Sequence, residues 1–428
     1  MIETPAESDA TQAAQPAPRP RAKPGPKPLP PIRCEDLFGQ KYILALQKHL
    51  LRLHAAHPHP NRTLFFDQVA VAYLLAFFSP IITSLRTMDD ASQTPKMQQA
   101  TGGGRIPRST LSDANAVFDP ALLEPIIEEL RARIPNLPQT DPQLNEILKR
   151  VRAADSSLFT VPATVAWALQ QRRANQKKLA SVRLNLQWAV VAGVPEGVCI
   201  GGAGASEAEA LMGAIDPGTI YVLDRGYVNF LLINRILGGC ADLVLRLKSN
   251  NLFTCVQERE LSDEDRKAGV VSDKIGHLTG TTQCPAPGAM LREIVIQDPS
   301  RPDHPVRLLS SILDVPAHVI GQIYRSRWQI ELFFRWLKVH AQFEHLISHS
   351  QNGVTTGFYI AIIAVLLMYV RTGRPVSKYG HAMLGLVASG RATMEEILPI
   401  LERRERECEL DRKRRARKKA EKAEKAGK

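Results

Sequence analysis

Between Arg150 and Lys248 the chain reads as strands and helices in alternation, and that stretch limits the possible folds more than any other. Arg150 to Asp155 reads as a short strand before Ser156-Ser157, Arg183 to Ala192 (RLNLQWAVVA) as a long one, and Gly197 to Ile200 as a third after the turn at Pro195. A helix is predicted over Ser206 to Gly213, a strand over Thr219 to Leu223, a helix over Val228 to Leu237 and a strand over Asp242 to Lys248. Three strands followed by helix–strand alternation imply an α/β sheet covered on both faces. From Asn250 to about Ile312 the alternation stops. Polar loops there separate short strands such as Leu291 to Gln297 and Val306 to Leu313, which makes the segment a β-rich insertion. After Pro316 a long helical stretch is expected to about His340, then an apolar helix over Thr355 to Tyr369.

Upstream the apolar residues recur at spacings of three and four, over Leu37 to Leu53 and Asp67 to Phe78. A glycine run, Gly102 to Gly104, interrupts them. In Ile106 to Leu130, Ser109 is the expected cap of a short helix and Asp119-Pro120 opens another. That pair resembles a helix-turn-helix, and an ordinary all-α packing domain accounts for it equally well. Residues Met1 to Pro31 are rich in Pro and Ala and too poor in large apolar groups to offset the entropy of ordering. The expected division is a disordered tail (1–33), a helical region (34–145), the first part of the sheet domain (146–249), the β-rich insertion (250–315), the second part of the sheet domain (316–372), and a C-terminal helical region with a basic tail (373–428).

With 55 Lys and Arg against 43 Asp and Glu, the formal charge of +12 points to a polyanionic partner or an acidic membrane surface. Most of it sits in the tails. Arg403 to Lys428 holds 13 basic and 6 acidic side chains, and Met1 to Arg33 holds five and three, leaving about +3 for the body. The six cysteines, Cys34, Cys199, Cys240, Cys255, Cys284 and Cys408, include no CxxC pair, so they read as reduced thiols of a cytoplasmic protein. The N-terminus has no apolar segment of a signal peptide. Phe358 to Val370 is the most apolar stretch, but its 13 residues fall short of the roughly 18–20 that cross a bilayer, so a core helix and no membrane partner are expected.

Three acids stand where element ends bring chemistry together. Asp155 follows the first predicted strand, and Asp224 follows Thr219 to Leu223, directly before Arg225-Gly226-Tyr227. Strand carboxyl ends are where an α/β sheet gathers its ligand-binding residues, although an Asp there also commonly caps a turn. The third acid lies in Tyr324 to Lys338 (YRSRWQIELFFRWLK). At roughly 100° per residue, Tyr324, Arg327, Glu331 and Lys338 share an arc of about 60°, with Arg335 beside it. Ile330, Leu332, Phe333 and Leu337 supply apolar surface on the other faces, so the polar stripe is turned into the protein and needs a charged occupant. A carboxylate set between cations suits a metal and a phosphate held together, and a ladder of helix-surface ion pairs is the alternative.

Tyr324, Arg327, Glu331 and Lys338 match without a gap the YREK signature of DDE transposases of the insertion sequence 4 family. Asp155-Ser156-Ser157 resembles that family's first-acid motif, and Asp224-Arg225-Gly226-Tyr227 its second. The resemblance spans roughly Lys149 to Tyr369. It implies a ribonuclease-H-like catalytic domain interrupted by the β-rich insertion and preceded by an all-α DNA-binding region. It further implies Asp155, Asp224 and Glu331 as catalytic metal ligands for two Mg²⁺ ions, with Mn²⁺ as a substitute, since oxygen-only ligands suit such hard cations. Tyr324, Arg327 and Lys338 are implied to grip DNA phosphate near the cleavage point. The implied partners are the element's terminal inverted repeats and target DNA, engaged by a homodimer acting at the nucleoid.

Two other readings remain open at this point: a related Mg²⁺ nuclease on the same fold, and a DNA-binding derivative without catalysis. Trp328, beside Arg327, is the candidate for stacking on an unpaired base. His54, His57 and His59, and likewise His340, His345 and His349, lack zinc-site spacing, and Gly201 to Gly204 lacks the context of a dinucleotide fingerprint.

Overall fold

The computed structural model describes residues 46–426 except 57, 80–81, 135, 137–141, 163, 170–179, 281–284, 286, 299–300, 341–347, 373–378, 381, 384–385, 387–391 and 393. The Pro/Ala-rich tail and the first part of the helix expected over Leu37 to Leu53 lie outside the described residues. Seven described α-helices precede the sheet: α1 (Gln47–His54), α2 (Phe66–Phe78), α3 (Leu85–Ser92), α4 (Pro95–Thr101), α5 (Arg108–Val117), α6 (Glu124–Ala132) and α7 (Pro142–Lys149). Gly102 ends α4 in the left-handed region at φ 68°, a conformation that glycine adopts without strain. Ser109 is not the cap of α5. It lies one residue inside, and Pro107 holds the cap position. Asp119 caps as expected, accepting from the Ala121 N–H at 2.9 Å and opening a 3₁₀ turn, Pro120–Leu123, that runs into α6.

Among the described residues nine strands form one mixed sheet: β1 (Val151–Val161), β2 (Ala180–Ala189), β3 (Val194–Gly202), β4 (Ile220–Leu223), β5 (Asp242–Arg246), β6 (Phe253–Glu258), β7 (Val270–Leu278), β8 (Leu291–Asp298) and β9 (Arg301–Ser310). Their order is β3-β2-β1-β4-β5-β9-β8-β7-β6. β1, β4 and β5 run parallel, whereas β2 and β3 on one side and β9 to β6 on the other are antiparallel. The β-rich segment therefore continues the central sheet through the pairing of β9 with β5.

β1 has 11 residues and does not stop at Asp155. Ser156-Ser157 suggests a turn, yet both residues pair with β2, opposite Asn185 and Leu184, because apolar alternation resumes through Phe159 and Val161. The long helix expected after Pro316 is two, α11 (Ala317–Ser326) and α12 (Trp328–His340), joined at Arg327. The amide of Arg327 bonds to the Tyr324 carbonyl and that of Ile330 to the Arg327 carbonyl, the tight i to i+3 spacing of a short 3₁₀ step.

Helices α8 (Glu207–Met212) and α9 (Phe230–Gly238) cover one face of the sheet, packing Leu211, Leu232, Ile233 and Ile236 against Leu223, Leu243 and Leu245. The other face meets α11, α12 and α13 (Gln351–Thr372), where Val222 and Val244 share a core with Ile320, Ile323, Ile330 and Phe358. Among the described residues α13 is the one helix long and apolar enough to cross a bilayer, over Gln351–Val370, so the 13-residue estimate was too short. Of that window, 78% is buried inside the molecule, and its Phe358 packs edge-on against Phe159 of β1. Its outer sides contact α2, α5 and α6, which explains apolar residues all around it. A short helix, α10 (Asp263–Lys267), lies between β6 and β7, and α14 (Met394–Ala426) closes the chain, with Ile397 and Leu401 buried against Met368.

Candidate active site

The parallel register aligns the two aspartates. Ala154 of β1 pairs with Leu223 of β4 as the last pair between those strands, so Asp155 and Asp224 are the next residue on each and stand side by side. β4 ends there while β1 runs on beside β2 alone. Asp155 thus occupies a ladder edge within a strand, at the level where its parallel neighbour stops. Alternation turns both carboxyls to the face covered by α11 and α12.

Tyr324, from the last turn of α11, donates its hydroxyl to Asp224 at 3.4 Å. Arg327, at the junction, is 8% exposed and divides its fork: Nη1 donates to Asp155 Oδ2 at 3.2 Å and Nη2 to the Glu331 carboxylate. Its ring-facing side lies 5.7 Å from the Tyr324 ring centroid, and its Nε has no hydrogen-bond partner. One arginine therefore connects the third acid to the first, and one tyrosine touches the second. Lys338 stands apart from them, exposed, with its amine 5.6 Å from the Phe159 ring centroid, four residues along β1 from Asp155. Trp328 is 52% exposed next to Arg327, an aromatic face left open to solvent.

Burial pushes the Asp155 carboxyl up to about 6; Arg327 and the Ser156 N–H oppose this, and Glu331 and Asp224 add to it. Burial works to lower Arg327, but Tyr324, Asp155, Glu331 and Asp224 outweigh it and hold the guanidinium charged. Burial also raises the Tyr324 and Tyr227 hydroxyls, so both remain protonated donors near neutral pH. The arrangement is a half-buried set of carboxylates joined by one buried guanidinium, which offsets part of their mutual repulsion. Among the described residues no three His, Cys, Asp or Glu side chains are drawn tightly enough to hold one ion as they stand, because Arg327 lies between Asp155 and Glu331.

Sequence reading missed a second layer on the opposite sheet face. Arg183 of β2 pairs with Glu207 of α8, donates to Ser156 Oγ at 2.9 Å and to the Ala203 carbonyl at 3.1 Å, and so fixes the residue after Asp155. The pairing of Leu158 with Arg183 sets this contact, and no local pattern announces it. A cavity of about 250 Å³ lies on this face, lined by Glu124, Glu128, Asn185, Glu207, Tyr227 and Tyr359 among others. It opens on the sheet face opposite Asp155, Asp224 and Glu331, alongside Ala154 and Leu211.

Among the described residues no histidine joins two other ligating side chains in a group that could hold a metal ion. His54 binds Asp67 at 3.1 Å, His59 Nδ1 accepts from the Asn61 amide, and His57 and His345 lie outside the described residues.

The model of the family described as "Transposase DDE domain" matches residues 146–367, just over half of the chain. A Sinorhizobium fredii protein named as transposase y4zB is 31% identical over 161 residues, which cover 37% of this chain and 44% of that protein. A Geobacillus stearothermophilus protein named as a transposase for insertion sequence element IS5377 is 26% identical over 149 residues, 35% of this chain and 38% of that one. The matched stretches thus span less than half the length of these relatives. A piggyBac transposase synaptic complex with hairpin DNA, solved by cryo-EM, aligns over 85% of this chain and 77% of its own at 10% identity with a TM-score of 0.37. That score is too low to assign a fold.

Proposed function

From the premise that the chain belongs to the transposase DDE domain family, we propose that it cuts DNA at the terminal inverted repeats of an insertion sequence and joins the 3′-OH ends to target DNA. The observation that carries this reading is the side-by-side register of Asp155 and Asp224, with Glu331 tied to the first by Arg327. Within the family we assign the chain to the insertion sequence 4 group, on the spacing of Tyr324, Arg327, Glu331 and Lys338. We read β1 to β5 with α11 and α12 as a ribonuclease-H-like core.

The donor set fits divalent magnesium. It offers only carboxylate oxygens, and burial, with Glu331 and Asp224 adding and Arg327 opposing, raises the Asp155 carboxyl to about 6, so a cation there would relieve a poorly solvated negative charge. Asp155, Asp224 and Glu331 would hold the ions, which supply Lewis acidity to water in the cut and to the 3′-OH in joining. The remaining steps belong to the chain. Arg327 presents a planar fork that can move from the carboxylates to two phosphate oxygens, a geometry that Lys cannot reproduce. Tyr324, protonated and held at Asp224, can donate to the same phosphate. Lys338, seven residues from Glu331 and about 10 Å along the helix, reaches a phosphate one or two nucleotides away. Trp328 offers its exposed face to an unstacked base.

Binding of the repeats is assigned to the helical region, residues 34–145. The exposed side of α6 carries Glu124 and Glu128, which repel phosphate, whereas Lys48 of α1, Lys96 of α4 and Arg108 of α5 are exposed cations. The DNA contact is therefore placed on α1, α4 and α5. The test is single-turnover cleavage with Mg²⁺ on a duplex carrying the inverted repeats that flank the gene. Asp155→Asn, Asp224→Asn and Glu331→Gln should each abolish cutting while the duplex still binds, and Arg327→Lys should lose most cutting despite keeping its charge. Substantial Mg²⁺-dependent cutting by any acid variant removes that residue from the site.

A further inference from the structure

The register that aligns the two aspartates continues to a third strand. Leu223 of β4 pairs with Leu245 of β5, as Ala154 pairs with Leu223. One residue further on, Asp155, Asp224 and Arg246 form a row across three adjacent parallel strands. Ala153, Val222 and Val244, two residues before each, lie in the core beneath α11 and α12, while Ala154, Leu223 and Leu245 lie in the core of the opposite face. Alternation therefore turns Arg246 to the same side as the acids. Its charge acts on the Tyr324 hydroxyl, as expected of a neighbour on that side.

Other buried or part-buried arginines of this sheet are committed to carboxylates: Arg152 to Glu196, Arg183 to Glu207, Arg292 to Asp273 and Arg307 to Glu293. Arg246 is half-buried, and no hydrogen bond or ion pair of its guanidinium occurs among the described residues. Removing a guanidinium partly from water without an acceptor is unfavourable, and an external anion relieves that. Arg225 and Lys248, both exposed at the ends of the same two strands, extend the positive rim. With strands about 5 Å apart, the Arg246 backbone lies roughly 10 Å from that of Asp155, a reach of one or two phosphates.

We propose that Arg246 binds a DNA phosphodiester on the β5 side of the acids, so that the cut strand crosses the site between Arg246 and the Lys338 side of β1. The assignment rests on Asp155, Asp224 and Glu331 being the catalytic acids. The experiment neutralises one phosphate at a time with methylphosphonate, on duplexes carrying the inverted repeats that flank the gene, and compares wild type with Arg246→Gln. Arg246→Gln should bind the unmodified duplex about tenfold more weakly, the scale of one lost charge-assisted hydrogen bond. Its salt slope should fall by about 0.9, the value for one phosphate contact. Wild type should be weakened by methylphosphonate one or two nucleotides from the nick, and Arg246→Gln should be insensitive at that one position. Equal salt slopes and the same interference pattern in both proteins overturn the proposal. Glu331→Gln separates the two readings: if it cuts normally the acids are misassigned, whereas if it is inactive and Arg246→Gln matches wild type, only Arg246 is. Thermal melting and Arg246→Lys, which keeps the charge and should keep the salt slope, guard against loss of fold.

Discussion

At the scale of single residues, the Asp155 carboxyl bears chiefly the cost of its burial, to which Glu331 and Asp224 add. Its ordinary value is 3.8, and in the folded chain it is held at about 6. Between roughly pH 4 and 6 the folded chain keeps a proton that the unfolded chain has released, so stability falls as pH rises through that window. Above it, the loss is on the order of 3 kcal/mol. In EDTA, Asp155→Asn should therefore melt above wild type at pH 7.5, with the two converging near pH 4. A variant that melts lower than wild type at pH 7.5 refutes this account of the site's charge. Asp224 was legible because an apolar run ends in it, and Glu331 because the spacing of Tyr324, Arg327, Glu331 and Lys338 puts it in a polar stripe, although that stripe spans two helices that meet at Arg327. Asp155 was found but misplaced at a strand end, since two serines after an acid look like a turn until β2 is seen to pair with them. Arg183 and Arg246 were not legible at all: what matters for them is the residue opposite on the next strand, which a linear reading does not contain.

Among the elements, α11 and α12 matter most, because they carry Tyr324, Arg327 and Glu331 onto sheet ends that the sequence places far away. Their seat is fixed by an ion pair in the meander. Arg292 of β8, 1% exposed, meets Asp273 of β7 through two bonds of 2.7 Å, and its Nη1 donates to the Val315 carbonyl just before α11. Breaking such a buried pair from one side leaves an uncompensated charge, at a cost of about 3–5 kcal/mol. Asp273→Asn should lower stability by about that amount in urea unfolding, and its cutting should be weaker because the approach to α11 loosens. A loss under 1 kcal/mol means the pair is not what seats the helix. The β character of this segment was legible because helix–strand alternation stops there and polar loops separate short apolar runs. Its union with the central sheet was not, because pairing of β9 with β5 joins Arg246 to Leu308, more than 60 residues apart. The break at Arg327 was hidden for a different reason: a 3₁₀ step lacks a glycine or proline to mark it.

For the whole molecule the question is where its +12 acts. The first part of α14 anchors through Ile397 and Leu401, and from Glu402 its described side chains are exposed. Charge along this helix is uneven. Arg403 to Asp411 holds three basic and four acidic residues, and Arg404 is satisfied by Glu407. Arg412 to Lys428 holds ten basic and two acidic residues, so the surplus of the tail lies wholly beyond Asp411. Cations on a solvated helix meet phosphate without reading sequence, and each contact made releases counterions worth about 0.9 in the slope of log affinity against log salt. Deleting 412–428 should thus leave the melting temperature unchanged, weaken binding to repeat and unrelated duplexes by the same factor, and flatten both salt dependences equally. Fluorescence anisotropy at several salt concentrations measures all three effects once the truncated protein is shown to melt normally. If the truncation instead erases preference for the repeats while the salt slope holds, the tail reads sequence, and the assignment of recognition to α1, α4 and α5 is wrong.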